Sequence, residues 1–240
     1  MNIALIGYGK MGKTIEKIAE ERGHTIALIC NSELSVNYAD FTDIDVAIEF
    51  TEPSLAASHI EFCAKKNIPV VVGTTGWNNQ LEDVTAKVNN LKGSLLHSSN
   101  FSIGVNIFFE LNKKLSLLMS NNNEYKVEVE ETHHLQKLDY PSGTSITIAD
   151  DILTTNQNYM SWVLGKDEKP YSNPNQFPLT SFRKPEVPGT HKVTYNSEID
   201  KIEITHEAHN RRGFALGAVI AAEFLINKSG VYQMSDVLKF

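Results

Sequence analysis

Residues 2–12 constrain this chain more than any other stretch. Asn2 to Ile6 is a short apolar strand, and Gly7-Tyr8-Gly9-Lys10-Met11-Gly12 follows at once. Behind the glycines, Met11, Ile15, Ile18 and Ala19 recur at helical spacing. Strand, glycine turn and helix in that order let the backbone turn sharply, approach a pyrophosphate and present the first N–H groups of a helix to it. The expectation is a dinucleotide-binding parallel sheet, with Gly7, Tyr8, Gly9, Lys10, Met11 and Gly12 against the cofactor.

The ribose end of such a site is less determined. A second strand, Thr25 to Ile29, ends in Cys30 and Asn31, where an acid that binds the ribose 2′-hydroxyl is customary. Glu33 falls near the usual separation but beyond the strand end, whereas Asn31, Ser32 and Lys10 can accommodate a 2′-phosphate. NADH and NADPH both fit.

Strands at Asp45 to Phe50, Ile68 to Val72 and Ser94 to His97 each run into a polar loop. In open parallel sheets ligands sit beyond the carboxyl ends of the strands. Thr51, Gly73, Thr74, Thr75, Ser98, Ser99, Asn100 and Phe101 are therefore expected to line one crevice with the glycine turn. Pro53 opens the helix after the third strand. His59 on that helix has no local acid or nucleophile and reads as a helix-face histidine without a chemical role.

From Gly104 the pattern changes. A helix through Val105, Phe108, Phe109, Leu115, Leu118 and Met119 stops at Asn121-Asn122-Asn123, and Lys126 to Glu130 alternates as a half-buried strand. Then comes Glu131-Thr-His-His-Leu-Gln-Lys-Leu-Asp-Tyr-Pro-Ser-Gly-Thr144. Two histidines, Lys137 and a tight turn bring proton carriers and a cation together. Neighbouring side chains on extended backbone point apart, so His133 and His134 should do different jobs. Gly143 permits a close bend, and Ser142 or Thr144 can cap a helix whose free N–H groups suit a carboxylate.

That helix is expected over Thr144 to Leu153, followed by a polar, irregular excursion from Asn156 to Pro178 with no assigned chemistry. Strands at Lys192 to Tyr195 and Lys201 to His206 suggest a mixed sheet. His206 and His209, before Arg211-Arg212, read as a polar junction rather than a second catalytic pair. An apolar helix from Gly213 to Ile226, lightly broken at Gly217, leads the chain end back to the first domain.

The expected fold class is α/β. A Rossmann-type dinucleotide-binding domain, 1–103, is completed by 213–240, and an α+β substrate and oligomerisation domain with a mixed sheet spans 104–212. A hydrophobic content of 41% supports a sizeable core. A net charge of −7 disfavours nucleic-acid binding. No apolar run has the length of a membrane span and the chain enters a strand directly, so a cytoplasmic protein is expected. Cys30 and Cys63 form no Cys-x-x-Cys pair, and no disulfide or metal site is indicated.

Five separated segments carry a resemblance. His133-His134, Lys137 and Asp139 to Thr144 match the pattern E-x-H-H-x-x-K-x-D-A-P-S-G-T, with Tyr140 where alanine is usual. The glycine turn, Glu49-Phe50-Thr51, Gly73-Thr74-Thr75-Gly76 and Asn100-Phe101-Ser102-Ile103-Gly104-Val105-Asn106 fall in the same order. On these motifs the chain resembles the bacterial 4-hydroxy-tetrahydrodipicolinate reductase (dihydrodipicolinate reductase) family over nearly its whole length. The resemblance implies reduction of a small cyclic dicarboxylate, 4-hydroxy-tetrahydrodipicolinate, by NADH or NADPH with loss of water, in diaminopimelate and lysine biosynthesis. It implies that His133 is a general acid or base and Lys137 a proton donor, and that His134, Ser142, Gly143 and Thr144 bind the dicarboxylate. It also implies a homotetramer formed through the substrate-domain sheet. A reductase of another small acid or semialdehyde would share the Rossmann half, as would a non-catalytic dinucleotide sensor, which has no need of the proton donors.

Overall fold

The short Val/Ile-rich runs of the N-terminal half form a parallel sheet buried on both faces, as such runs must to satisfy their apolar side chains. The computed structural model describes residues 1–165 and 173–239. It divides into two units, Met1–Ile103 with Arg211–Phe240, and Gly104–Asn210.

In the first unit the strands are β1 (Asn2–Ile6), β2 (Thr25–Cys30), β3 (Val46–Glu49), β4 (Val70–Val72), β5 (Ser94–His97) and β11 (Gly230–Tyr232). They lie in the order β11-β5-β4-β3-β1-β2, all parallel. Helices α2 (Pro53–Lys65) and α3 (Leu81–Asn90) contribute to the core on one face, through residues such as Ile60 and Val84. On the other face α1 (Lys10–Glu21) and α6 (Arg212–Leu225) bury Ile15, Ile18, Ala218 and Ala222 against Leu5, Ile48 and Leu96.

The sequence suggests a helix lightly broken at Gly217, but α6 runs without interruption. Gly217 is there for packing: a Cβ at this position would stand 1.7 Å from the Phe101 carbonyl oxygen. The loop after β5 is thus pressed directly onto the helix.

The second unit contains α4 (Ile103–Met119), β6 (Lys126–His133), α5 (Gly143–Thr155), β7 (Ser161–Leu164), β8 (Gln176–Arg183), β9 (Thr190–Asn196) and β10 (Lys201–Glu207). The sheet order is β10-β9-β6-β8-β7, with β6, β8 and β7 mutually parallel and β9 antiparallel to both β6 and β10. Two boundaries differ from expectation. Strand β6 extends three residues beyond Glu130, which carries the alternation through Glu131 and His133. The stretch from Asn156 to Pro178 is not wholly irregular, because β7 and the start of β8 lie within it; residues 166–172 fall outside the described residues. As an edge strand only four residues long, β7 shows no clear alternation.

One face of this sheet packs Val127, Val129, Phe177, Leu179, Val193 and Tyr195 against Phe108 and Phe109 of α4 and Ile148 and Ile152 of α5. Towards the end of β6 the same face turns polar. Register pairing sets Ser181, Glu131, His191 and His206 in one row across four strands. Among the described residues no helix is long and apolar enough to cross a membrane.

Candidate active site

The first unit gathers its candidate cofactor residues at the carboxyl ends of the strands. Gly7 has φ +98°, and a Cβ there would lie 2.1 Å from the Phe50 carbonyl oxygen, so the turn rests on the end of β3. At Gly12 a Cβ would lie 2.4 Å from the Gly7 carbonyl oxygen, which packs the helix start onto the turn. Around Gly9 nothing lies within 4 Å of a built Cβ. The three glycines therefore serve a tight turn, an open point of approach and a close helix contact, the division of labour that a pyrophosphate cradle requires.

The neighbouring loops converge. Thr51 N–H donates to Thr74 Oγ1 at 2.7 Å, and the Phe50 ring occupies the space a side chain at Gly73 would need. The Phe50 and Phe101 rings are 6.0 Å apart. Thr75 is exposed on the same loop as Gly73 and Thr74. Ser98, Ser99 and Asn100 form a turn in which Ser98 Oγ donates to the Asn100 carbonyl at 2.7 Å.

On the helix side, Tyr8 hydrogen-bonds Glu16, and Lys13 Nζ sits 5.7 Å from the Tyr8 ring centroid. Lys10 is exposed at the start of α1 and Met11 is half-buried. Asn31 caps its own loop: its Oδ1 accepts from the Glu33 and Leu34 N–H groups at 2.8 and 3.0 Å. His59 does have an acid partner, buried Glu49, with Nδ1 3.4 Å from Oε1. That partner sits on a separate strand, where local sequence reading does not look.

In the second unit the stretch after β6 is organised by Glu131, which is 1% exposed. Its carboxylate accepts from Ser142 N–H at 3.1 and 3.3 Å, from Ser145 Oγ–H at 2.7 Å and from Arg183 Nη1 at 3.3 Å. His133 Nδ1 lies 3.4 Å from Glu131 Oε2. Burial works against ionisation of Glu131, yet the polar groups turned toward it, His133, Ser142, Ser145 and Ser181, prevail and hold the carboxyl well below the usual range.

His191 closes the other side. Its ring meets the His133 ring edge-to-face at 5.1 Å, and burial, reinforced by His133, drives its pKa down to about 3. The imidazole is therefore neutral near pH 7. Gly189 lies against the same ring, where a Cβ would come 3.1 Å from His133 Nε2.

His134 is half-buried, and its carbonyl accepts from Lys137 N–H at 3.2 Å, which closes a turn over 134–137. Lys137 Nζ is 2.9 Å from Asp139 Oδ1. Of the two capping candidates it is Ser142 that caps α5: it is buried, and its Oγ accepts from Ser145 N–H at 3.2 Å, so the hydroxyl that the resemblance assigns to the substrate is engaged within the fold. Gly143 is exposed, with nothing within 4 Å of a built Cβ, and Thr144 follows in the first turn of the helix.

Tyr140 departs from the usual alanine for a reason visible in the structure. Its ring lies under the Arg183 guanidinium at 5.1 Å, and its hydroxyl donates to the Ser181 carbonyl at 3.1 Å. Alanine could make neither contact.

Glu131, Arg183, Gly189 and His191 were not marked as site residues by the sequence. The i, i+2 spacing of Glu131 and His133 was an available signal, but the cross-strand register that adds His191 and Arg183 was not. Among the described residues Glu131, His133 and His191 bring donor atoms within 4.8 Å, a spacing compatible with a metal ion. The Glu131 charge is, however, already met by Arg183 and two hydroxyl and amide donors.

Comparison with known proteins matches both halves. A family model described as dihydrodipicolinate reductase, N-terminus, covers residues 1–101, and one described as dihydrodipicolinate reductase, C-terminus, covers residues 104–238. The chain is 48% identical over 238 residues to a 4-hydroxy-tetrahydrodipicolinate reductase of Christiangramia forsetii, covering 99% of this chain and 98% of that one. A protein of the same name from Thermosipho africanus is 33% identical, covering 100% and 98%. Among solved structures, a dipicolinate-bound dihydrodipicolinate reductase from Paenisporosarcina sp. TG-14 shares the fold, with a TM-score of 0.71 at 22% identity and 97% of each chain covered.

Proposed function

The chain belongs to the dihydrodipicolinate reductase family, and on that premise we propose that it reduces 4-hydroxy-tetrahydrodipicolinate to tetrahydrodipicolinate in diaminopimelate and lysine biosynthesis, with His133 and Lys137 as its proton-transfer residues. The observation that carries this reading is the joining of His133, His134, Lys137 and the capped start of α5 within one fourteen-residue stretch.

The nicotinamide nucleotide supplies the hydride. The Gly7, Gly9 and Gly12 turn fits its pyrophosphate, with Gly9 as the open point of approach. Thr51, Gly73, Thr74, Thr75 and the Ser98 to Phe101 turn are assigned to the nicotinamide side. Either NADH or NADPH serves: the exposed Lys10 can meet a 2′-phosphate, and Asn31 shapes the loop where a ribose would end.

Loss of the 4-hydroxyl as water gives a conjugated imine, and hydride addition to it leaves electron density that has to be protonated, so a positioned donor belongs beside the ring. His133 and the Lys137 ammonium fill that need. His134, Gly143 and Thr144 take the carboxylates, using the first N–H groups of α5, which add favourable dipole without another titrating charge. Cytoplasmic placement and a homotetramer formed through the outer face of the mixed sheet, where Lys192 pairs with Glu130, belong to the same reading; solution mass checks the assembly.

The dicarboxylate assignment is tested by calorimetric titration of dipicolinate into the NADPH-saturated protein. Wild type is expected to bind, and His134→Ala and Thr144→Val to weaken binding about tenfold each, roughly 1.4 kcal/mol. Unchanged affinity in both variants would refute the assignment of the carboxylate site.

A further inference from the structure

We infer that Glu131 is a positioning residue: its buried carboxylate holds Nδ1–H of His133 and so leaves Nε2 as the atom that exchanges a proton with the substrate. The inference rests on the proton-transfer role proposed for His133.

Glu131 and His133 are two residues apart on β6 and therefore share a face. Nδ1 is buried and makes no close hydrogen bond among the described residues; the Glu131 carboxylate faces it at 3.4 Å. The carboxylate is itself fixed from two further elements. Ser142 N–H and Ser145 Oγ–H reach it from the start of α5, and Arg183 reaches it from the end of β8. An ionised acceptor held in that way selects the Nδ1–H tautomer of a neutral imidazole, because the proton of one ring nitrogen is set by the hydrogen bond it makes.

The space beside the other nitrogen depends on Gly189 having no side chain. A side chain at Gly189 would press on Nε2 and Cδ2, at 3.1 and 3.3 Å. His191 walls the ring on one edge, and its Nε2 is farther from the same oxygen than Nδ1 of His133, at 4.0 Å from Glu131 Oε2. The arrangement also has a second consequence. Because the same carboxylate receives Ser142 N–H, it sets the distance between the proton carrier and the helix start assigned to the substrate carboxylates.

The test is 15N NMR of histidine-labelled protein at alkaline pH without substrate, with His133→Gln used to assign the His133 signals, alongside kinetics of Glu131→Gln. The expected result is a predominant Nδ1–H tautomer for His133 in wild type. Glu131→Gln should lower that fraction and reduce kcat at least about tenfold, with KM for the nucleotide changed by less than about twofold. An Nε2–H tautomer in wild type, or wild-type kcat in Glu131→Gln, would overturn the inference. Should Glu131→Gln fail to fold, the wild-type tautomer decides alone. The tautomer is read independently of turnover, whereas the proton-transfer role of His133 itself is decided by whether His133→Gln still turns over.

Discussion

Replacing His133 by alanine is expected to lower kcat by about 10²–10⁴-fold, the range of a positioned general acid or base. Lys137→Ala should fall in the same range, because it removes the ammonium proposed as a proton donor from the turn that follows the histidines. The nucleotide should hardly notice either change. Both residues belong to the unit Gly104–Asn210, while the glycine turn belongs to Met1–Ile103. Fluorescence titration with NADPH is therefore expected to give a Kd within about twofold of wild type for both variants, the signature of a lost transition-state interaction rather than lost binding. Loss of NADPH affinity in proportion to the loss of kcat would contradict these roles.

Gly217→Ala is expected to damage the fold more than any surface substitution. In an exposed helix interior, glycine to alanine gains roughly 1 kcal/mol. Here the new Cβ would stand 1.7 Å from the Phe101 carbonyl oxygen and 2.7 Å from its carbon. Both are backbone atoms of a buried residue, so no rotamer change relieves the clash. Either α6 or the loop after β5 has to move, and overpacking of this kind costs about 3 kcal/mol. Denaturant unfolding should show the loss directly. Because Phe101 packs against Phe50, on whose carbonyl the glycine turn rests, NADPH affinity is expected to weaken with it. A variant as stable as wild type would mean that the loop yields without resistance.

The local chemistry of the fold was legible in the sequence and the long-range chemistry was not. Strand β1, its glycine turn and α1 form one continuous segment, so the roles of Gly7, Gly9 and Gly12 follow from a local pattern. Gly217 carries no such pattern: its demand comes from Phe101, far away in the chain, and from the sequence it looks like a weak helix position. The same difference separates His133 from its supporting residues. The adjacent histidines, Lys137 and the Pro-Ser-Gly-Thr turn announce themselves by spacing. Glu131 is recognisable as a hub only once β6 is seen to continue through His133 and the register sets His191 opposite Glu131 and Arg183 opposite His133. Ser142 was legible as a capping candidate from the same local pattern, and its hydroxyl does cap α5. Tyr140 departs from the family pattern, and only the stacked Arg183 and the Ser181 carbonyl account for it.

The central claim is that this chain is a working reductase of the cyclic dicarboxylate. It is tested most directly by following nucleotide absorbance while 4-hydroxy-tetrahydrodipicolinate is generated fresh by the preceding synthase, with NADH and NADPH in separate runs. The account expects oxidation of at least one nucleotide that depends on the synthase product and is lost in the His133→Ala, Lys137→Ala double variant. No turnover with either nucleotide, or oxidation that persists without the synthase product, would contradict it.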